Sequence, residues 1–291
     1  MTRALVLGGG GPVGVAWEAG LAVGLAGEGV ALGEADLIVG TSAGSITGSR
    51  LALQMDLPDL VSVVSQPLAV EAGATEGMGE LMSAWGEAVA RAQTPEALRV
   101  ELGQLALAAR TVDEGAFVGA EVFAQLEGRE WPASFRCTAI DTGTGALLVW
   151  DQTAGVPLQR GVASSCSVPG VFPPVTIGAG RYMDGGMRTP LNADLAAGHD
   201  AVIVVSCLPL ALPEGISDPM FDMMSGQIEA ELATVRDGGA ALEVIVPSQE
   251  FLDISDWGAS LMDPGRAAGA YRAGIRQAAA EAARLRAVWS G

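Results

Sequence analysis

Three short stretches of this chain carry residue types that can do chemistry. Residues 8–14 read Gly-Gly-Gly-Gly-Pro-Val-Gly and follow the apolar run Ala4–Leu7. Residues 40–45 read Gly-Thr-Ser-Ala-Gly-Ser and follow Leu37–Val39. Asp184 follows Tyr182-Met183 and precedes Gly185-Gly186. The first stretch contains G-x-G-x-x-G, whose backbone N–H groups can cradle a dinucleotide pyrophosphate or meet an oxyanion. The second contains G-x-S-x-G, a sharp strand-to-helix turn that lifts Ser42 to the end of a sheet as a nucleophile. Gly40 and Gly44 suit such a turn, because a Cβ on either flank would strike the backbone it approaches. The dipole of the following helix favours the negative charge that develops there. The plainer alternative is a glycine-rich helix start with Ser42 as an ordinary cap.

A serine nucleophile needs a base. His199 is the only histidine. It precedes the apolar run Ala201–Cys207, so it falls at the amino edge of a sheet whose active residues gather at the carboxyl edge. His199 is expected to be a surface loop residue. Asp184 is the candidate instead, and the glycines after it let another loop approach its carboxylate. An ordinary Asp-Gly turn is the alternative. A free aspartate titrates near ~3.9, so a base working near neutral pH requires partial desolvation and a short bond to the serine.

These residues need elements to hold them. Short apolar runs at 4–8, 36–40, 134–142, 146–150, 201–207 and 242–248 read as buried strands separated by helical segments. That pattern predicts an α/β fold with a parallel sheet covered on both faces. Helices are expected at 13–28, at 43–55, in two or three pieces between about 76 and 125, and at 266–289. Thr94-Pro95 marks one helix start, with Thr94 as N-cap and Pro95 in the first turn. The arginines of 266–289 read as a solvated face. A chain of 291 residues is ordinary for one α/β domain, and nothing forces a second.

Composition narrows the partners. The net charge is −18, every basic residue is arginine, and lysine is absent. Nucleic acid is excluded as a partner, because phosphate binding needs clustered cations, and docking to anionic lipid is disfavoured. A neutral ester, or a lipid entering by its apolar part, fits. Cys137, Cys166 and Cys207 are widely spaced and odd in number, so no disulfide framework and no metal site is expected. Without a signal peptide or spanning segment, a cytoplasmic protein is expected.

The three motifs, in this order, resemble the patatin-like phospholipases: Gly-Gly-Gly-Pro-Val-Gly at 9–14, Gly-Thr-Ser-Ala-Gly at 40–44 and Asp-Gly-Gly at 184–186. The segment Ala-Ser-Ser-Cys-Ser-Val-Pro-Gly-Val-Phe-Pro-Pro-Val from 163 resembles another family segment. The resemblance covers most of 4–207 and is thin at 70–130 and after 210. It implies a three-layer fold with a central, mostly parallel sheet flanked by helices, one hydrolase domain over 1–291, and a variable helical segment near 70–130. It implies a Ser–Asp dyad without a cofactor: Ser42 as nucleophile, Asp184 as general base, and the N–H groups of Gly9, Gly10 and Gly11 as oxyanion hole. The family usually carries Arg or Lys just before the last glycine of that loop, where this chain has Val13. The substrate implied is a lipid or small acyl ester.

An acyl chain needs an apolar channel. Met78, Met82 and Trp85, and Met220, Phe221, Met223 and Met224, could line or cover one, and would allow transient membrane contact; core packing is the plainer reading of both groups. Two rival functions remain. A dinucleotide-binding protein should place an acid at the end of the second strand, but Asp36 stands at its start. A Walker loop would need a lysine. A non-catalytic acyl-binding protein with the same fold is the other rival.

Overall fold

The computed structural model describes residues 1–67, 78–212, 215 and 219–289. Its elements in chain order are β1 (Arg3–Leu7), α1 (Gly11–Gly27), β2 (Leu37–Gly40), α2 (Ala43–Ala52), α3 (Leu57–Val64), α4 (Met78–Arg91), α5 (Pro95–Ala108), α6 (Glu114–Val118), α7 (Glu121–Ala124), β3 (Phe135–Asp141), β4 (Leu147–Trp150), α8 (Leu158–Ser165), β5 (Val175–Ile177), β6 (Gly180–Asp184), β7 (Ala201–Val205), α9 (Pro219–Asp237), β8 (Ala241–Ile245), α10 (Gln249–Ser255) and α11 (Ala267–Trp289).

Eight strands form one mixed sheet. Its main body is parallel, in the order β3–β2–β1–β7–β8. Alternation along these strands feeds two cores. Leu5, Leu7, Ile38 and Ile203 pack with α1, α2 and α11 on one face. Ala4, Val6, Val39 and Val204 pack with Ile228, Leu232 and Val235 of α9 on the other. Both faces of each strand are therefore apolar, which is why the strands read as unbroken hydrophobic runs.

The 146–150 run is a strand but not a parallel one. It is β4, which pairs antiparallel to β3 through a short connection at 142–146. A link that short cannot make the crossover that parallel neighbours require. Strands β5 and β6 also lie antiparallel; β5 has three residues and β6 five, too short for a periodic signal. Helices α4 and α5 cover this end of the sheet, through Ala88, Leu102 and Ala106 against Ile140 and Met183. The Thr94 hydroxyl accepts the Ala97 N–H at 3.1 Å, capping α5 as its sequence predicts.

The register of β3 brings the motifs together. Cys137 pairs with both Gly40 and Trp150, and Ala139 with both Asp184 and Leu148. Strand β4 thus takes one edge of β3, while β2 and β6 share the other. Because β2 runs parallel to β3 and β6 antiparallel, their carboxyl ends meet head to head, with only the Thr138 level between them. The chain leaves β2 into Ser42 at the point where β6 delivers Asp184.

Candidate active site

The turn after β2 is held by backbone geometry that few residues tolerate. Ser42 has φ 52° and ψ −116°, a conformation that costs a non-glycine residue about 1–3 kcal/mol. Surrounding bonds fix it. Its N–H donates to Ser165 Oγ at 3.0 Å, and its carbonyl accepts from Ser45 Oγ at 2.7 Å and Cys166 Sγ at 3.3 Å. A Cβ on Gly44 would run into the Leu7 carbonyl, and one on Gly40 would lie 2.5 Å from the Gly44 oxygen. The clash expected at both flanks of the turn is present at both.

Asp184 arrives from β6, and its N–H donates to the Ser167 carbonyl at 2.9 Å. One carboxylate oxygen accepts the Gly186 N–H at 2.7 Å. The Ser42 hydroxyl neighbours the same carboxylate and favours its charged form. A buried polar net ties the two loops: Thr41 Oγ1 is 2.9 Å from Thr138 Oγ1, and Asn192 Nδ2 donates to Thr41 Oγ1 at 3.1 Å and to the Gly185 carbonyl at 3.4 Å. Thr41, Thr138, Asn192, Ser165 and Cys166 had no signal of their own in the sequence. Ser165 and Cys166 lay inside the segment that resembles the family, but without a role.

The glycine loop after β1 lies beside the turn. The Gly9 N–H donates to the Pro190 carbonyl at 2.9 Å and so is already spent. The N–H groups of Gly10 and Gly11 have no acceptor among the described residues. The same holds for Ala43, the first residue of α2. An apolar cavity of about 420 Å³ opens here. Ser42, Ala43 and Gly11 line it, and its walls include Ile46, Phe123, Val171 and Phe172. Asp184 does not line it and sits 2% exposed, with Ser42 between it and the cavity.

His199 stands just before β7, its ring nitrogen 3.0 Å from the Ala196 carbonyl, on the opposite edge of the sheet. Met223 is exposed, Met224 packs on the α9 face of the sheet, and Trp85 packs with α5. None of the three lines the cavity. The side chains of Met78, Met82 and Met220 lie outside the described residues. Among those residues no cluster of metal-ligating side chains occurs, and no helix is long and apolar enough to cross a membrane.

The patatin-like phospholipase family model matches residues 5–197, which hold the loop, the Ser42 turn and Asp184. The chain belongs to the patatin-like phospholipase family. Families of this kind are generally lipid acyl hydrolases, and the α/β fold with its mixed central sheet agrees. VipD from Legionella pneumophila is a structural neighbour at 14% identity and a TM-score of 0.44, covering 98% of this chain and 67% of that one. No curated protein sequence matches.

Two carboxyls of this patatin-like chain, Asp184 and Glu18, are fully buried among the described residues. Burial pushes Asp184 up to about 7, against the opposing effects of Gly186 and Ser42. Burial likewise raises Glu18, on α1, to about 8, opposed by Thr47 and Cys207. One Glu18 oxygen has no partner; the other is 3.6 Å from Cys207 Sγ. Val13, at the position where the family is usually basic, is fully buried, and its N–H donates to the Leu261 carbonyl at 3.2 Å.

Proposed function

We propose that this protein is a serine acyl hydrolase that works through a Ser42–Asp184 dyad and an acyl-enzyme. The observation that carries the reading is the meeting of the strained Ser42 turn with a buried carboxylate, beside N–H groups that have no acceptor. An ester bound in the apolar cavity presents its carbonyl to Ser42. Asp184 takes the hydroxyl proton as Oγ attacks the carbonyl carbon. Gly10, Gly11 and Ala43 supply donors to the tetrahedral oxyanion, each worth roughly 3 kcal/mol in such sites. Collapse expels the alcohol, which takes the proton back from Asp184. Water then enters, loses a proton to Asp184 and attacks the acyl carbon; the Ser42 Oγ leaves, taking that proton back, and the acid is released.

Burial answers the mismatch between an ordinary aspartate and neutral-pH chemistry. A carboxyl held near 7 is a far stronger base than one near 3.9, and a good fraction is still ionised at neutral pH. The whole chain is read as one domain, with the segment near 70–130 as its variable part.

The test is labelling by a fluorophosphonate probe, with hydrolysis of p-nitrophenyl acyl esters in parallel. Wild type should label at Ser42 and turn over, and Ser42→Ala should do neither. A folded wild type that neither labels nor hydrolyses would point to the acyl-binding alternative.

A further inference from the structure

The family name points to a phospholipid, but the charges of this chain point elsewhere. The only cations available are arginines, sixteen of them, and all lie within the described residues. None lines the cavity at Ser42. Arg50 packs behind the wall, buried, with its guanidinium on the carbonyls of Ile46 and Val122 and on the Gln125 amide. Arg160 is paired with Glu114, and Arg266 with Asp263. Val13 leaves no cation in the glycine loop. Among the described residues the one charged residue lining the cavity is Glu121, which is exposed. An anionic headgroup would therefore sit near an acid and near the negative charge that passes from Asp184 to the oxyanion, with no counter-charge. An unpaired charge drawn out of water is strongly disfavoured.

From this we infer that the substrate is an acyl ester of an uncharged alcohol, such as an acylglycerol, and not an anionic phospholipid. The inference rests on the hydrolase reading above. The experiment compares dioleoylglycerol with dioleoyl phosphatidylglycerol, both in the same non-ionic detergent micelles, with wild type and Ser42→Ala. At least a tenfold higher Ser42-dependent rate on the neutral lipid is expected. Equal or faster hydrolysis of phosphatidylglycerol would overturn the inference and leave the hydrolase reading standing. No Ser42-dependent hydrolysis of either would overturn both. Glu121→Arg should narrow the preference several-fold, and an unchanged preference would overturn the electrostatic account.

Discussion

The turns after β1 and β2 are the same unit, a buried parallel strand running through glycines into a helix, and they lie side by side in the sheet. They differ in what they leave free. The first offers backbone N–H groups, at Gly10 and Gly11, and no reactive side chain. The second ties down the Ser42 backbone through Ser165, Ser45 and Cys166, and leaves the Ala43 N–H and one side-chain hydroxyl. Glycine serves opposite ends in the two. In the first loop it opens donors to a ligand; in the second it lets helix α2 press against β1 so that Ser42 can be strained. The glycine pattern alone therefore does not fix the ligand. What fixes it is the neighbour that each turn meets: Pro190 and Cys207 for the loop, and Asp184 for the serine.

The contrast predicts a ranking of effects. Ser42→Ala should lower ester turnover by roughly a thousandfold or more, while circular dichroism and unfolding temperature stay close to wild type. Loss of fold in that variant would show that the turn depends on the hydroxyl.

Asp184→Asn should lower turnover by about a hundredfold or more and separate base from scaffold by its effect on stability. Burial holds Asp184 protonated in the folded state up to about 7, against an ordinary value of 3.8. Between those values the unfolded chain sheds its proton first, so the wild type loses stability as pH rises from about 4 to 7. The variant should match wild type near pH 4 and be more stable at pH 8, by at most ~4 kcal/mol. Thermal melts at the two pH values measure the difference.

Gly10→Ala should cost about ten- to a hundredfold in kcat, because the added methyl meets Cys207 and displaces the loop. Pairing it with Cys207→Gly removes the obstruction and should recover part of the loss. A pair no better than the single variant would mean that the loop is not seated on Cys207. Thr41→Val, which breaks the bonds to Thr138 and Asn192 at the junction of the two motifs, should destabilise by about 1–3 kcal/mol and lower turnover only a few-fold. A urea titration at neutral pH reads the first effect and an ester assay the second.

Much of the parallel body was legible from composition and order, because strands buried on both faces read as apolar runs whatever their neighbours. Strands β5 and β6 were not, being three and five residues long with half-buried faces. Ser42 and Asp184 were legible as candidates because glycines must flank a turn so close to β1 and a carboxylate so close to Thr138. The supporting net was not. Thr41, Thr138, Ser165 and Asn192 are common residue types whose role lies wholly in partners 97 to 151 positions away. Glu18 did carry a local signal, being the one charged residue of the otherwise apolar α1, but its burial against Cys207 did not show in the sequence.

By itself the sequence determined which chemistry was available: one nucleophile turn, one well-placed acid, no useful histidine, no lysine. These follow from residue type and local spacing, which the chain carries without folding. Tertiary structure decided which groups were free to act. It spent the Gly9 N–H on Pro190, left those of Gly10, Gly11 and Ala43 open, and pressed two carboxyls out of water until they held their protons near neutral pH. Those outcomes depend on desolvation and on contacts between distant segments, so only the register of β3 with β2 and β6, and the packing over it, could set them.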